Sequence, residues 1–352
     1  MAVRAPGRQP SAGAHRSRAD RRPLPIRGRR VLVTGAGGFI GRHVCRRLVE
    51  AGAEVHGVSR RRRAARDGVR WRRGDLTDAR RTRALLAAVD PEYVVHLAGY
   101  PYGAQAPEAV LPNFAGNAVA TVQLLAAIDP RRCRRIVLAG SMEAPALFEP
   151  GAAALTPHAV SKRVAALYGR LYGAQFGLPI VQLRLFMVYG PGQDGPHADK
   201  LIPYTIRSLL AGRRPRVTHG RRRIDWVYVD DVVDAVLRAL TTPGITGREF
   251  DIASGRRLSI GELVDQLIEC VGGGRAHYGG RPERAIETEP VARLGPSRRL
   301  LGWRPRVGLS EGLARTVEWH RRQHAGTGGP VGRPRVGVAA PPRGGPGRAR
   351  RE

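Results

Sequence analysis

Two stretches of the chain hold the side chains best suited to moving protons. In "LTPHAVSKRVAALYG" (155–169), His158 stands four residues ahead of Lys162. Residues at i and i+4 share one helix face, so both side chains would enter the same cleft. A free imidazole titrates near about 6.5, which suits acid–base work around neutrality. An ammonium at this spacing pushes that value lower by like-charge repulsion. The neutral ring that results accepts a proton readily and donates one poorly. The second stretch, "RIVLAGSME" (135–143), supplies a hydroxyl at Ser141 and a carboxylate at Glu143. Tyr168 and Tyr172 lie further along the first stretch without a lysine at matching spacing, and read as packing residues.

The lysine carries extra weight because of the company it keeps. Of 60 Lys and Arg residues, only Lys162 and Lys200 are lysine. A formal net charge of +31 first suggests a nucleic-acid partner. Such uniform arginine usage reads instead as a bias applied along the whole chain, so no specific nucleic-acid binding is expected. Non-specific adhesion to polyanions is the milder consequence.

A third stretch, "VTGAGGFIG" (33–41), spaces Gly35, Gly38 and Gly41 between an apolar run and a helical pattern. Glycines placed this way permit a tight turn and let backbone N–H groups approach a pyrophosphate at a helix N-terminus. Phe39 and Ile40 open the helix that follows. The next strand ends in "VSRRRR", with Ser59 and Arg60 where an acid would bind a ribose 2′-hydroxyl. Basic residues there accept a 2′-phosphate, so NADP is the expected cofactor, with NAD possible.

These residues must be positioned by regular elements, and the pattern supplies them. "RVLVTGAGG", "EVHGVSR", "YVVHLAG", "RIVLAGS" and "PIVQLRLFMVYG" read as buried strands, and helical segments such as "NAVATVQLLAAI" fall between them. This alternation predicts an α/β fold: a Rossmann-type doubly wound parallel sheet with a smaller C-terminal α/β substrate domain. At 352 residues and 42% hydrophobic content, the chain can fill such cores. Residues 1–28 and 323–352 are rich in Gly, Pro and Arg without periodicity and read as disordered tails. The cofactor domain is expected over 29–183 plus 227–253, and the substrate domain over 184–226 plus 254–322. No apolar run reaches about 18 residues, so no membrane span is expected. No apolar segment follows the basic N-terminus, which points to the cytoplasm. Cys45, Cys133 and Cys270 fit no metal or redox spacing, and no metal site is expected.

Several segments in order resemble the extended short-chain dehydrogenase/reductases, specifically the NAD(P)-dependent epimerase/dehydratases acting on nucleotide sugars. The similarity covers residues 30–322. It rests on the glycine loop, "GDLTD" (74–78), "HLAG" (96–99), "NAVATVQLLAA", "RLFMVYGPGQ", "IDWVYVDDVVDAV" and "LLGWRPRVGLSEGLARTVEW". The resemblance implies cofactor contacts at Asp75, Leu76, Leu97, Ala98, Gly99 and Asn117. It makes Ser141 the group polarising the reacting oxygen and Lys162 the holder of the nicotinamide ribose. His158 then occupies the position of the family's catalytic tyrosine. Its ring is shorter than a phenol, so a bridging water or a shifted substrate is needed to complete the contact. Glu143 falls where 4,6-dehydratases carry the glutamate that removes the C5 proton. Met187 and Ile224 replace an asparagine and an arginine that usually touch the sugar nucleotide, and Ala144–Ala146 replaces a V-Y-G. Arg222, Arg223 and Arg281 remain as diphosphate contacts. The resemblance implies a nucleotide-diphosphate sugar as ligand, a homodimer, and a 4-ketoreductase or 4-epimerase exchanging hydride at C4. A 4,6-dehydratase and a catalytically impaired NADP(H) sensor or scaffold are the alternatives.

Overall fold

The computed structural model describes residues 25–64, 67–101, 103, 105–144, 156–194, 200–283 and 289–326. β1 (Arg30–Thr34) runs into the glycine loop and α1 (Phe39–Glu50), and β2 (Glu54–Ser59) follows. β3 (Val69–Arg73), α2 (Ala79–Val89) and β4 (Tyr93–His96) complete the first half. A continuous helical run follows. It comprises α3 (Val110–Asn113), a π-helical segment (Phe114–Val119) and α4 (Ala120–Ala126). β5 (Arg135–Ser141), α5 (Pro157–Phe176) and β6 (Ile180–Leu185) come next. These strands and β9 (Glu249–Ile252) form one seven-stranded sheet in the order β3-β2-β1-β4-β5-β6-β9. Every pairing in it is parallel. The order reverses between β1 and β4, which opens a crevice at the carboxyl ends of the strands.

Parallel strands are covered on both faces, and side-chain alternation fills both. Val31 and Val33 of β1 enter a large core with Val44 and Leu48 of α1 and Val232 and Val236 of α7 (Val229–Thr241). Leu32 enters the other core with Leu86, Leu124 and Ile136. A small second sheet pairs β7 (Met187–Tyr189) with β8 (Arg223–Tyr228) and β8 with β10 (Arg257–Ser259). α6 (Leu201–Leu210), α8 (Ile260–Val271) and α10 (Leu309–Gly326) pack around one another beside it. α9 (Leu294–Arg299) packs on β9.

Local chemistry sets where the helices start. Thr156 caps α5 by accepting from the Ala159 amide at 3.0 Å, and Pro157 stands in its first turn. Ser259 and Glu262 form a reciprocal capping box on α8.

The structure moves both expected tail boundaries. Ile26 is fully buried in the main core, and the Gly28 amide donates to the Gly52 carbonyl at 2.8 Å. A single apolar anchor therefore ties in residues whose composition reads as tail. At the other end α10 continues past residue 322 to Gly326, with Leu313 and Val317 buried. The remainder of both tails lies outside the described residues. By length and composition the helical run Pro107–Ala126 is able to cross a bilayer, although no uninterrupted apolar stretch marks it in the sequence. Here α5 packs along it, and Asn113, Asn117 and Thr121 are buried.

Candidate active site

The glycine loop is built as its spacing requires. Gly35 adopts φ +66°, and a Cβ there would lie 2.7 Å from the Ala98 nitrogen and the Leu97 carbonyl carbon. A Cβ on Gly41 would lie 2.2 Å from the Gly35 oxygen. Neither position admits a side chain. Gly38 is the N-cap of α1 and offers no side-chain cap, which leaves first-turn amides for a ligand. Phe39 is buried beneath the loop and Ile40 is partly buried against the same core. Arg63, not singled out in the sequence, donates to the Gly37 carbonyl at 3.3 Å and stacks over Trp71 at 5.1 Å.

Beyond the ends of β2 and β3, Arg60, Arg73, Gly74, Asp75 and Arg81 line a cavity of about 350 Å³. Ser59 ends β2 beside it. The Asp75 carboxylate accepts from the Thr77 amide at 3.0 Å and from its hydroxyl at 2.7 Å. These bonds hold its pKa below the ordinary carboxylate value. Leu76, expected to touch cofactor, is buried in the core with Val58 and Leu86. Its backbone is adjacent to the cavity, but its side chain serves packing.

At the ends of β4 and β5 the catalytic candidates converge. His96 closes β4 with Nδ1 2.7 Å from the Thr34 hydroxyl and Nε2 2.9 Å from the Thr121 hydroxyl. Burial, then the Lys162 charge, brings its pKa down to about 3, so the ring is a neutral strut. Gly99 packs closely under the site: a Cβ there would lie 2.6 Å from Asn117 Oδ1 and 3.2 Å from Lys162 Nζ, so both side chains would have to shift. Asn117 sits in the π-helical segment and grips the backbone of Tyr100, accepting from its N–H at 2.9 Å and donating to its carbonyl at 3.3 Å. π-helical turns place side chains that a regular helix would direct elsewhere.

His158 and Lys162 share the face of α5 that the spacing predicts. Lys162 Nζ donates to the Ala139 carbonyl at 3.2 Å, and burial lowers its pKa to about 8. His158 Nδ1 lies 3.2 Å from the Tyr100 carbonyl oxygen. Burial first, then the charges of Lys162 and Lys200, brings its pKa down to about 4. The expectation of a ring poorer in protons than free imidazole therefore holds, with burial exceeding the repulsion inferred from spacing. Ser141 ends β5 and accepts from the Glu143 amide at 3.3 Å. The Glu143 carboxylate accepts in turn from the Thr156 hydroxyl at 3.3 Å. The Pro145–Ala146 part of the altered segment lies outside the described residues.

Lys200 is the residue that sequence reasoning passed over. It precedes α6, and its Nζ donates to the Pro101 carbonyl at 3.3 Å, one residue beyond the carbonyl met by His158. The signal was present: both lysines of an arginine-rich chain come to the same end of the crevice.

The expected substrate contacts divide. Arg281 stacks over Tyr204 at 4.2 Å, on α6 four residues beyond Lys200. Met187 begins β7 and is partly buried against the main core. The Arg222 carbonyl accepts from the Ile260 amide at the edge of the small sheet. The half-exposed Arg223 guanidinium donates to the Arg257 carbonyl at 3.0 Å and lies 3.7 Å from Glu262. Ile224 is buried. Of the tyrosines read as packing residues, Tyr172 packs against the second core, whereas Tyr168 is 41% exposed. Among the described residues, no three His, Cys, Asp or Glu side chains gather in a metal-binding group.

Known proteins resemble this chain in sequence and in fold. The model of the NAD dependent epimerase/dehydratase family matches residues 31–253. A UDP-glucose 4-epimerase from Mycolicibacterium smegmatis is 30% identical over 323 residues, covering 84% of this chain and 99% of its own. A dTDP-glucose 4,6-dehydratase from Streptomyces niveus is 27% identical, covering 84% and 94%. The crystal structure of a UDP-glucuronic acid 4-epimerase from Bacillus cereus, in complex with UDP-glucuronic acid and NAD, superposes with a TM-score of 0.72. It is 25% identical, over 83% of this chain and 99% of that one. With a parallel sheet of the same kind, a glycine loop at its crevice and a family match over most of its length, the chain belongs to the NAD-dependent epimerase/dehydratase family of nucleotide-sugar enzymes.

Proposed function

We propose that the protein exchanges hydride at C4 of a nucleotide-diphosphate sugar, as a 4-epimerase or 4-ketoreductase, with His158 moving the proton. The observation that carries this reading is the convergence of Ser141, His158 and Lys162 at the ends of β4 and β5. The residues fit a dinucleotide: the loop has no room for side chains at Gly35 and Gly41, and the first turn of α1 has no side-chain cap. A bound nicotinamide supplies hydride acceptor or donor capacity. The Gly35–Gly41 loop would hold its pyrophosphate, Asp75 its adenosine and Lys162 its ribose.

The chain's own groups then divide the work. Ser141 presents a hydroxyl that orients the C4 oxygen. His158 exchanges a proton with that oxygen, directly or through one water, because a ring nitrogen reaches less far than a phenol hydroxyl. Lys162 keeps positive charge beside the developing negative oxygen. Arg60, Arg73 and Arg81 around the cavity favour a 2′-phosphate, which supports NADP over the NAD bound by the solved relative. Exposed apolar residues along α3, the π-helical segment and α5 support a homodimer, among them Leu111, Phe114, Leu171 and Phe176.

The decisive experiment is turnover of UDP-, dTDP- and GDP-sugars, and of their 4-keto forms, with NAD(H) and NADP(H). Interconversion at C4 supports the proposal. Loss of water from C5 and C6 selects the 4,6-dehydratase reading, which the Glu143 carboxylate held by Thr156 favours. Cofactor binding with no reaction on any sugar selects a sensor or scaffold.

A further inference from the structure

The hydrogen bonds around His158 determine which of its nitrogens carries the proton. A backbone carbonyl has no proton to give, so the 3.2 Å contact from Nδ1 to the Tyr100 oxygen requires hydrogen on Nδ1. That carbonyl does not swing freely, because the Asn117 amide meets both the N–H and the C=O of Tyr100, in two successive peptide groups. Asn117 Nδ2 also lies 2.9 Å from the Ser161 hydroxyl, and that hydroxyl donates to the His158 carbonyl at 3.0 Å. Asn117, Tyr100, His158 and Ser161 thus form a closed ring of contacts that fixes the imidazole at its backbone and at its Nδ1 edge.

We infer that the Asn117-held carbonyl of Tyr100 locks His158 in the Nδ1–H tautomer, leaving Nε2 as the proton acceptor of the site. With Nε2 unprotonated, the ring can take the proton of a sugar hydroxyl, the event that opens the oxidative half of hydride exchange. This rests on the hydride-exchange reading and gives it a direction. In the step, the C4 hydroxyl proton passes to Nε2. A bound oxidised nicotinamide would supply the acceptor for the C4 hydrogen and its electron pair, and the C–O bond would become a carbonyl. Reduction of a preformed ketone needs the opposite state, an imidazolium, which the surroundings oppose. Lys162 on α5 and Lys200 ahead of α6 both add positive charge, and His96 at the end of β4 is held neutral. Glu143, an acid that follows β5, accepts from the Thr156 hydroxyl. Asn117 acts through the Tyr100 backbone and is a positioning residue.

The test is nitrogen NMR of the full chain labelled at histidine, with His158→Ala assigning the signal. The expected spectrum shows Nδ1 protonated and Nε2 bare from about pH 5.5 to 7.5; a proton on Nε2 overturns the inference. In Asn117→Ala both tautomers should appear, and a single unchanged tautomer shows that the clamp does not set it. If that variant does not fold, the wild-type spectrum decides. Single-turnover oxidation should be level across the same pH range. Reduction of the 4-keto sugar should fall about tenfold per pH unit, because the protonated fraction falls so. A level reduction rate overturns the assigned direction. The spectrum reads the tautomer whether or not any sugar reacts, so an inert sugar panel counts against the hydride-exchange reading alone.

Discussion

His158 is the residue on which the chemistry turns. Replacing it with alanine should cost on the order of 10²-fold or more in turnover. Dinucleotide affinity should be retained, because Lys162 and the glycine loop are untouched. His158→Tyr places a phenol four residues ahead of Lys162 and should raise activity or change which sugars react. Stopped-flow turnover alongside cofactor titration separates these effects, and wild-type rates in His158→Ala would make residue 158 a bystander. A second residue-scale prediction concerns the cavity of Arg60, Arg73 and Arg81. NADPH should bind more tightly than NADH by fluorescence titration, and Arg60→Ala with Arg73→Ala should remove most of the difference. Equal affinities in the wild type would refute it. Gly35, Gly41, His158 and Lys162 were legible in the sequence because their requirements are local: a forbidden Cβ, or a spacing on one helix. Lys200 was not, since its importance depends on where α6 begins in space. The neighbours of Arg223 were equally hidden, because its charge says nothing of the Glu262 and Arg257 groups that lie beside it.

Among the elements, α5 does two jobs. One face carries Lys162 and His158, the opposite one leaves Leu167 and Leu171 exposed, and Leu111 and Phe114 are exposed on the neighbouring helical run. Apolar surface gathered on two packed helices is what a second copy would cover. Leu111→Glu combined with Phe114→Glu should therefore convert a dimer to a monomer in light scattering. A wild-type mass of a single chain, or an unaltered mass in the variant, would refute it. The strand and helix rhythm of the large sheet was readable because buried parallel strands are continuous apolar runs. The π-helical segment was not. Its apolar pattern matches an ordinary helix, and only the partners of Asn117 show why the turn is widened.

The whole molecule is fastened at points its composition conceals. Ile26 lies in a Pro- and Arg-rich stretch, yet it is fully buried in the main core. Ile26→Ala should destabilise the protein by about 2–5 kcal/mol, read as a lower midpoint in urea. An unchanged midpoint would return residue 26 to the tail. The arginine bias has a different outcome at this scale. Guanidinium groups do not react with mild acylating reagents at neutral pH, whereas an amine near its pKa does. Apart from the chain's N-terminus, the only such amines are those of Lys162 and Lys200, and that of Lys162 titrates near about 8. A protein with 60 basic side chains therefore offers just two side-chain amines, and both stand at the crevice. An amine-selective tag would therefore mark the N-terminus and these two lysines alone, and a dinucleotide bound at the crevice should protect Lys162 from it.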